Sequence, residues 1–198
     1  GRSAHSGTPD LGVNAILGAG RLLDRVGQLH RDLAARRHPL VGAASLTVTR
    51  IAGGVADNVV PDSCVMMLDR RLIPGETEAG AVAEIEVMLR AAAAEEGVTA
   101  AIASFQATTG GAAETPADHP LAAAALAACA ANGTPELQFG GFGGGCDLVH
   151  FRGIGAAGVV VGPGDLAVAH QPDEFVPIAE LVDAAAIYRD IALRMLAP

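Results

Sequence analysis

The stretch Ser45-Leu-Thr-Val-Thr-Arg-Ile51 decides the fold of the first half of this chain. Its alternating β-branched residues predict a strand, which the glycine pair Gly53-Gly54 ends. Residues 58–73 predict a second strand, with Pro61 near its start and Pro74-Gly75 after its end. Two consecutive strands therefore form the centre of this half.

Helices flank the two strands. Apolar residues at helical spacing predict a helix that Asp10 caps and that runs to about residue 37. A second helix is predicted from Glu76 or Thr77 to about residue 96, and residues 98–106 predict a third strand. The order helix, strand, strand, helix, strand is that of a split βαβ sandwich without its first strand. That strand would lie just before Gly1.

The second half alternates helices with short strands. We predict a helix from about Asp118 to residue 131, a strand at 136–139, a short helix to Phe151, a buried strand at 156–161 and a helix from about 178 to 196. This alternation is typical of an α/β class with a parallel sheet covered by helices, although the strands are too few for a whole doubly wound domain. Because Gly110-Gly111 marks a boundary, we assign domains to residues 1–112 and 113–198.

Charge and composition narrow the function classes. The 198 residues carry a formal net charge of -9, and every basic residue is arginine. Residues 1–71 hold nine arginines against six acids, whereas residues 72–198 hold four against sixteen. The lack of a strongly basic surface argues against nucleic acid as a partner.

Three distant cysteines without a CxxC pair indicate a reducing, cytoplasmic setting. The longest apolar stretch, residues 121–131, is too short to span a bilayer.

The end of the predicted strand at 156–161 carries one candidate metal ligand. The turn Gly162-Pro-Gly164 follows the strand, and His170 comes next, with Asp173 and Glu174 behind it. A neutral imidazole at a strand end is a common zinc ligand, and either acid could orient its second nitrogen. Spacing alone leaves a hydrogen-bonded structural histidine as the alternative.

A glycine-rich run, Gly140-Gly-Phe-Gly-Gly-Gly145-Cys-Asp147, precedes that strand. It lacks the Lys and Ser/Thr of a phosphate-binding P-loop and does not match GxGxxG. Its glycines indicate a close approach of the backbone to another element or to a ligand. Asp147 is expected to cap the short helix that follows.

Three polar residues of the first half are candidates for substrate contacts. His5 lies in a polar loop, where a neutral imidazole could donate to a developing oxyanion, although an exposed loop histidine often has no role. The guanidinium of Arg71 is suited to bind a substrate carboxylate through two hydrogen bonds, and Asn58 could add a further donor. Their spacing places them on opposite faces of a regular strand, so we expect a bulge near Pro61 to bring them together. The alternative is a surface arginine paired with Asp69 or Glu76.

Taken together, these segments resemble the aminoacylase/acetylornithine deacetylase/succinyl-diaminopimelate desuccinylase zinc metallopeptidases. Four motifs carry the resemblance, in order: Gly1-Arg-Ser-Ala-His5-Ser-Gly-Thr-Pro9 with Gly12-Val-Asn14-Ala-Ile16; Gly53-Gly54 with Asn58-Val-Val-Pro61, Asp69-Arg-Arg71 and Pro74-Gly75-Glu76; Gly144-Gly145-Cys146-Asp147; and Gly162-Pro-Gly164 with Ala169-His170-Gln-Pro-Asp-Glu174. They extend over nearly the whole chain.

The resemblance implies a two-domain, usually dimeric, zinc-dependent amide hydrolase with a ferredoxin-like βαββαβ lid inserted into an α/β catalytic domain. It implies that His170 is a ligand to one of two metal ions, with cobalt as a possible replacement for zinc. It also implies that His5 reaches into the partner subunit's site and stabilises the oxyanion. Asn58 and Arg71 would grip the substrate carboxylate, and Gly145 would line the pocket. Cys146, where such proteins more often have Thr or Ser, is a mild departure.

Other motifs of that family are absent. The family's HxD motif, bridging Asp and Glu-Glu pair lie upstream of the lid, whereas His30-Arg31-Asp32 and Glu95-Glu96 of this chain fall on predicted lid helices. We therefore expect the C-terminal part of such an enzyme: the lid less its first strand, then the last part of a zinc-peptidase-like catalytic domain. Alone, this chain is expected to hold no catalytic metal and to be inactive.

Two main function hypotheses follow. In the first, the intact protein is a metal-dependent amidohydrolase that cleaves an N-acyl amino acid or small peptide-like amide, with a metal-activated water and an upstream Glu as base. In the second, the chain is a non-catalytic dimerisation or amino-acid-binding module. A homodimer through the lid, with no nucleic acid and no membrane, is expected for both.

Overall fold

The structure is a computed structural model that describes residues 1–106, 111–134 and 136–196. The chain divides into two compact units, Gly1–Ala112 and Ala113–Pro198. Within the described ranges, no helix is long and apolar enough to cross a membrane.

The first unit begins with a 3-10 turn, Pro9–Leu11, followed by helix α1, Ala15–Ala34. The sequence prediction that Asp10 caps α1 is wrong, because Asp10 lies inside the 3-10 turn. The cap is Asn14, whose side-chain oxygen accepts from the amides of Ile16 at 2.9 Å and Leu17 at 3.2 Å. Gly12 is extended between the turn and the cap, so the helix cannot begin earlier.

An antiparallel hairpin follows α1. Strand β3, Ser45–Gly53, pairs with β4, Cys64–Arg71, from Ser45↔Arg71 at one end to Gly53↔Cys64 at the other. A short ladder between β1, Arg37–His38, and β2, Gly42–Ala43, precedes it and has no counterpart in the sequence prediction.

The second strand of the hairpin is shorter than predicted. Residues 58–63 leave the β3–β4 ladder. Val59 instead forms a bridge with His5, and the Val60 amide donates to the carbonyl of Ala4 at 2.8 Å. The start of the predicted strand therefore holds the N-terminal segment.

Helix α2, Glu78–Glu96, matches its predicted limits. The Thr77 hydroxyl accepts from the Gly80 amide at 3.1 Å, and Gly97 ends the helix in the left-handed region at φ 66°. Helix α1 packs on the hairpin and on α2. The buried residues between them form two clusters: Val26, Leu33, Ala44, Leu46 and Ile73 in one, and Leu22, Ala92 and Val98 in the other. Each fully buried valine, leucine or isoleucine side chain contributes about 2 kcal/mol.

An ion-pair network lies at the edge of the first cluster. Arg70 of β4, whose side chain is 10% exposed, donates to Glu76 at 2.8 Å, and Arg36 binds both Glu76 and Glu84 of α2. Burial acts to raise the pKa of Glu76, but the hydrogen bonds from Arg70 and the Ile73 amide, together with the charge of Arg70, lower it below its ordinary value. The network joins the end of α1, the end of β4 and α2.

Residues 98–106 do not form the predicted third strand. Only Val98 of this segment is buried. Among the described residues, the sheet that contains β3 and β4 has no third strand. An extended segment becomes a strand when a neighbour completes its hydrogen bonds, and this segment has no such neighbour here. The unit is mixed α/β, and among its described residues the sheet of β3 and β4 has two strands, so the ferredoxin-like lid lacking its first strand is not confirmed.

The described residues of the second unit form three α-helices: α3, Pro120–Ala131, α4, Leu148–Gly153, and α5, Ile178–Leu196. Helices α3 and α5 pack through Ala128, Cys129 and Ile187. The helices agree with the sequence prediction, and His119, next to Asp118, caps α3 by accepting from the Leu121 amide at 3.1 Å.

The predicted strands of the second unit are wrong. Residues 136–139 and 156–161 are not strands, and Val160 is 52% exposed instead of buried. In the described parts of this unit these segments take part in no ladder, so the predicted parallel sheet does not form there. Many large apolar side chains remain exposed as a result, among them Ile154, Phe175, Ile178 and Leu196.

Candidate functional site

His5 lies in an N-terminal segment that two other segments hold in place. The Arg2 amide donates to the carbonyl of Val13, and the Ser6 amide donates to the carbonyl of Asn58, both at 2.9 Å. A Cβ atom at Gly12 would lie 3.0 Å from the Ala4 side chain, so glycine permits this close packing. The backbone around His5 is thereby fixed although its side chain is exposed.

Asp62 holds the same N-terminal segment through a hydrogen bond that the sequence did not predict. The Ser3 hydroxyl donates to Asp62 Oδ2 at 2.8 Å. This donation is the main reason why the pKa of Asp62 lies below its ordinary value. Asp62 directly follows the Asn58–Pro61 motif, but no spacing rule links it to Ser3, so only the tertiary structure identifies the pair.

The imidazole of His5 has a defined hydrogen bond. Its Nδ1 accepts from the Gly7 amide at 3.0 Å, and the carbonyl of His5 accepts from the Thr8 amide at 2.9 Å. Asn58 is adjacent through the Ser6–Asn58 bond, and its side chain is exposed. The structure therefore brings His5 and Asn58 together, and both side chains are accessible to a ligand.

Arg71 is the last residue of β4 and pairs with its own neighbour. Its Nε and Nη2 donate to the two carboxylate oxygens of Asp69 at 2.7 and 3.2 Å. The side chain of Arg71 is 63% exposed, so the pair is solvated. Of the two partners considered from the sequence, Asp69 is the one observed, while Glu76 binds Arg70 and Arg36.

The expected bulge near Pro61 does not bring Asn58 and Arg71 together. The irregularity of the β3–β4 ladder lies on β3, between Val48 and Arg50. Pro61 lies beside Gly54, at the Gly53↔Cys64 end of the hairpin. The seven residue steps from Cys64 to Arg71 extend over about 23 Å of strand. Within one chain, Arg71 is therefore remote from His5 and Asn58.

Gly145 lies in the second unit, exposed in the glycine-rich segment before α4. The neighbouring Gly144 lies against the Phe142 ring, where a Cβ atom would come within 2.6 Å of the ring's Cζ. Asp147 occupies the N-cap position of α4, but its side chain makes no capping bond, so the expected cap is wrong. Its backbone is helical at φ -72° and ψ -1°, whereas a capping residue is extended.

His170 lies in a constrained loop. Its φ of 60° is left-handed, as is the φ of 65° at Asp173, and this region is unfavourable for residues other than glycine. The Glu174 carboxylate accepts from the backbone amide of His170 at 2.9 Å. Of the two acids expected to orient the imidazole, Glu174 binds the backbone instead, and the role of Asp173 stays a prediction.

Neither of the remaining motif-like pairs forms a metal site. His30 and Asp32 lie on α1, where His30 Nδ1 accepts from the Leu46 amide and Asp32 accepts from Gln28. Glu95 and Glu96 lie at the end of α2 and bind Arg25. Across residues 1–106, 111–134 and 136–196, no group of three or more His, Cys, Asp or Glu side chains is placed to hold a metal ion. The described residues of this chain therefore do not form a metal centre by themselves.

Comparison with protein families gives a match over the first unit. Residues 1–97 match the peptidase dimerisation domain of the M20 family. The acetylornithine deacetylase of Myxococcus xanthus is 32% identical over 192 residues, which are 94% of this chain and 48% of that protein. A Mycobacterium tuberculosis protein named for succinyl-diaminopimelate desuccinylase is 31% identical over 189 residues, 96% of this chain and 49% of that protein. The chain spans about half the length of the curated relatives it matches.

Solved structures show the same fold. The aminopeptidase PepT of Bacillus cereus superposes with a TM-score of 0.67 at 25% identity, over 98% of this chain and 48% of that one. A tripeptidase of Staphylococcus aureus superposes with a TM-score of 0.71 at 20% identity, over 96% of this chain and 48% of that one. Both likenesses extend over the two units described above.

Proposed function

Because the chain belongs to the M20 peptidase family, whose dimerisation domain it carries in residues 1–97, we propose that the intact protein is an amidohydrolase. Its substrate is an N-acyl amino acid or a small peptide-like amide. The observation that carries the proposal is the exposed pair His5 and Asn58, held on a rigid backbone at one end of the hairpin. An exposed donor on a fixed backbone suits a developing oxyanion.

The separation of Asn58 from Arg71 supports a site shared between two copies. One small substrate cannot bridge about 23 Å of strand, so both groups reach it only if they come from different protomers. We propose that His5 and Asn58 of one protomer act at the partner's site, where the partner supplies Arg71. There Arg71 exchanges the carboxylate of Asp69 for that of the substrate, keeping its bidentate geometry.

A flank of α1 and the free edge of β3 are proposed as the homodimer contact. Leu17 and Leu23 are 64% and 39% exposed, and nothing lies within 4 Å of a Cβ atom at Gly20. Strand β3 pairs only with β4 in the described part of the chain, which leaves its other edge open to a second strand. A second copy is the expected occupant because the matched domain is a dimerisation domain.

The proposal assigns metal chemistry to the intact protein and not to this chain alone. His170 is proposed as one ligand of a zinc ion, with cobalt as the alternative metal and Gly145 in the pocket wall. The described residues do not complete a metal centre, so the steps proposed for this chain are limited to oxyanion stabilisation and carboxylate binding. The exposed apolar side chains of the second unit, such as Phe175 and Ile178, are consistent with a larger catalytic domain.

The lack of a metal-binding group among the described residues also favours a second candidate function. In it, the chain is a dimerisation module that binds an amino-acid derivative without hydrolysing it. Arg71 would still bind a carboxylate, but no bond would be broken. The two candidates differ in turnover and not in binding.

One experiment separates them. The 198-residue chain and a protein extended to the length of the relatives are assayed for release of free amino acid from N-acetyl amino acids, with zinc or cobalt added. We expect turnover only from the extended protein. Turnover by the 198-residue chain would show that this chain suffices. An extended protein that binds zinc and substrate but releases no product would support the binding module.

A further inference from the structure

The imidazole of His5 accepts a hydrogen bond from its own loop. The Gly7 amide, which can only donate, lies 3.0 Å from Nδ1. Nδ1 must therefore present its lone pair to this amide. A neutral imidazole has a single ring proton, which is then on Nε2. The main chain thus selects one of the two neutral forms of His5.

We infer that Gly7 is a positioning residue that holds His5 as the Nε2-protonated tautomer, with Nε2–H as its donor toward substrate. The inference rests on the proposed function for its purpose, because an oxyanion requires a hydrogen-bond donor. With Nδ1 engaged, Nε2 is the ring nitrogen left for a ligand, and the side chain is exposed. The other tautomer would present a lone pair from Nε2 to the oxyanion and repel it.

Glycine at position 7 lets the amide approach the ring without crowding it. A Cβ atom there would lie 3.1 Å from Nδ1 and 3.5 Å from Cε1 of His5. The nearer distance is inside ordinary van der Waals contact, which begins at about 3.5 Å. Any residue except proline supplies the N–H, but glycine supplies it without displacing the ring.

The same local bond has a different role elsewhere in the chain. Nδ1 of His119 accepts from the Leu121 amide at 3.1 Å, and there the bond caps α3. At His5 the bond caps no helix, because the following 3-10 turn starts at Pro9 with Thr8 at its cap position. At His5 the bond instead sets the tautomer of the imidazole and the orientation of its ring. His119 is accordingly an internal reference for an Nδ1-acceptor ring.

The tautomer can be measured on the 198-residue chain without metal or substrate. Histidine ring nitrogens are observed by 15N NMR at about pH 8, above the ordinary histidine pKa near 6.5. We expect His5 Nδ1 to resonate as an unprotonated acceptor, Nε2 to resonate as protonated, and a scalar coupling to join Nδ1 to the Gly7 amide nitrogen. A mixed or Nδ1-protonated ring in the unaltered chain would overturn the inference, whatever the variants do.

Two substitutions at position 7 distinguish the effect of losing the N–H donor from the effect of crowding the ring. Gly7→Pro removes the N–H, so the ratio of the two tautomers should fall roughly tenfold, the factor that one hydrogen bond supports. Gly7→Ala keeps the N–H and should retain the Nε2-protonated form. Equal shifts in both variants would assign the effect to crowding of the loop and reject the role of the donor. Unchanged amide resonances in α2 confirm that each variant is folded.

The outcome is independent of the proposed function. If the tautomer is as inferred and His5→Ala leaves turnover of the extended protein unchanged, the oxyanion role fails and the inference about Gly7 stands. If His5→Ala abolishes turnover but the unaltered ring is a mixture of tautomers, the oxyanion role stands and the inference about Gly7 fails.

Discussion

The backbone amide of Ser6 donates to the carbonyl of Asn58 at 2.9 Å, and this bond places His5 beside Asn58. The two residues come from segments more than fifty positions apart in the sequence. Arg71, which is nearer to Asn58 in sequence, lies at the other end of the hairpin. The proposed site therefore takes its parts from both ends of one small sheet, which a single protomer cannot bring to one substrate.

The carboxylate role of Arg71 predicts a selective change in substrate affinity. In the extended protein, Arg71→Ala should raise KM for carboxylate substrates about tenfold or more, because a charge-assisted pair is lost. Arg50→Ala on β3 is the matched control and should leave KM near the wild-type value. Steady-state kinetics with a carboxylate substrate and its amide analogue make the comparison. Equal KM values for wild type and Arg71→Ala would refute the role.

A shared site predicts complementation between inactive variants. His5→Ala and Arg71→Ala homodimers should each be strongly impaired in the extended protein. Subunit exchange in an equal mixture should restore about a quarter of wild-type activity, because half of the dimers are mixed and each mixed dimer has one intact site. If mixing restores nothing although mass spectrometry detects the mixed dimer, both residues act in the same protomer.

The proposed contact predicts which surface controls oligomeric state. Leu23→Asp on the exposed flank of α1 should convert the proposed dimer of the 198-residue chain to a monomer, because a carboxylate would be buried without a partner. Val87→Asp changes an apolar residue of α2 that is 58% exposed, more than the 39% of Leu23, and should leave the dimer intact. Sedimentation velocity distinguishes the two states. A monomer from Val87→Asp and a dimer from Leu23→Asp would move the contact to α2.

The ion pair of Arg70 with Glu76 predicts a stability that depends on pH. The pKa of Glu76 is lowered in the folded chain, so its contribution is present above its ordinary value near 4.5 and is lost as the pH falls through the lowered pKa. At pH 7, Glu76→Gln should reduce the free energy of unfolding by about 2 kcal/mol, since Arg70 is left buried with a weaker partner.

Urea unfolding at neutral and acid pH measures this contribution. The difference between wild type and Glu76→Gln should begin to shrink as the pH falls below the ordinary value near 4.5. It should be lost below the lowered pKa of the folded chain, where both side chains are neutral. Glu86→Gln, which removes an exposed pair with Arg90, should cost less than about 0.5 kcal/mol at either pH. A difference for Glu76→Gln that stays constant with pH would show that its charge does not stabilise the fold.

Helices were the part of the fold that local sequence could predict. Helices α2, α3 and α5 have close to the predicted limits because their hydrogen bonds join residues four apart and their caps lie next to them in the chain. The error at the start of α1 arose because Asp10 and Asn14 are both good capping residues, and the extended Gly12 between them decides for Asn14.

The sequence by itself determined the helices, the central hairpin and the candidate residues, because periodicity, caps and motifs are local. Only the tertiary structure decided that residues 98–106 and 156–161 are not strands, since a strand depends on a neighbour that the segment does not encode. It likewise paired Ser3 with Asp62, turned the Gly7 amide toward His5, and placed Asn58 and Arg71 at opposite ends of the hairpin. Except for the local Gly7–His5 bond, these features depend on how distant segments pack, and spacing along the chain carries no record of that.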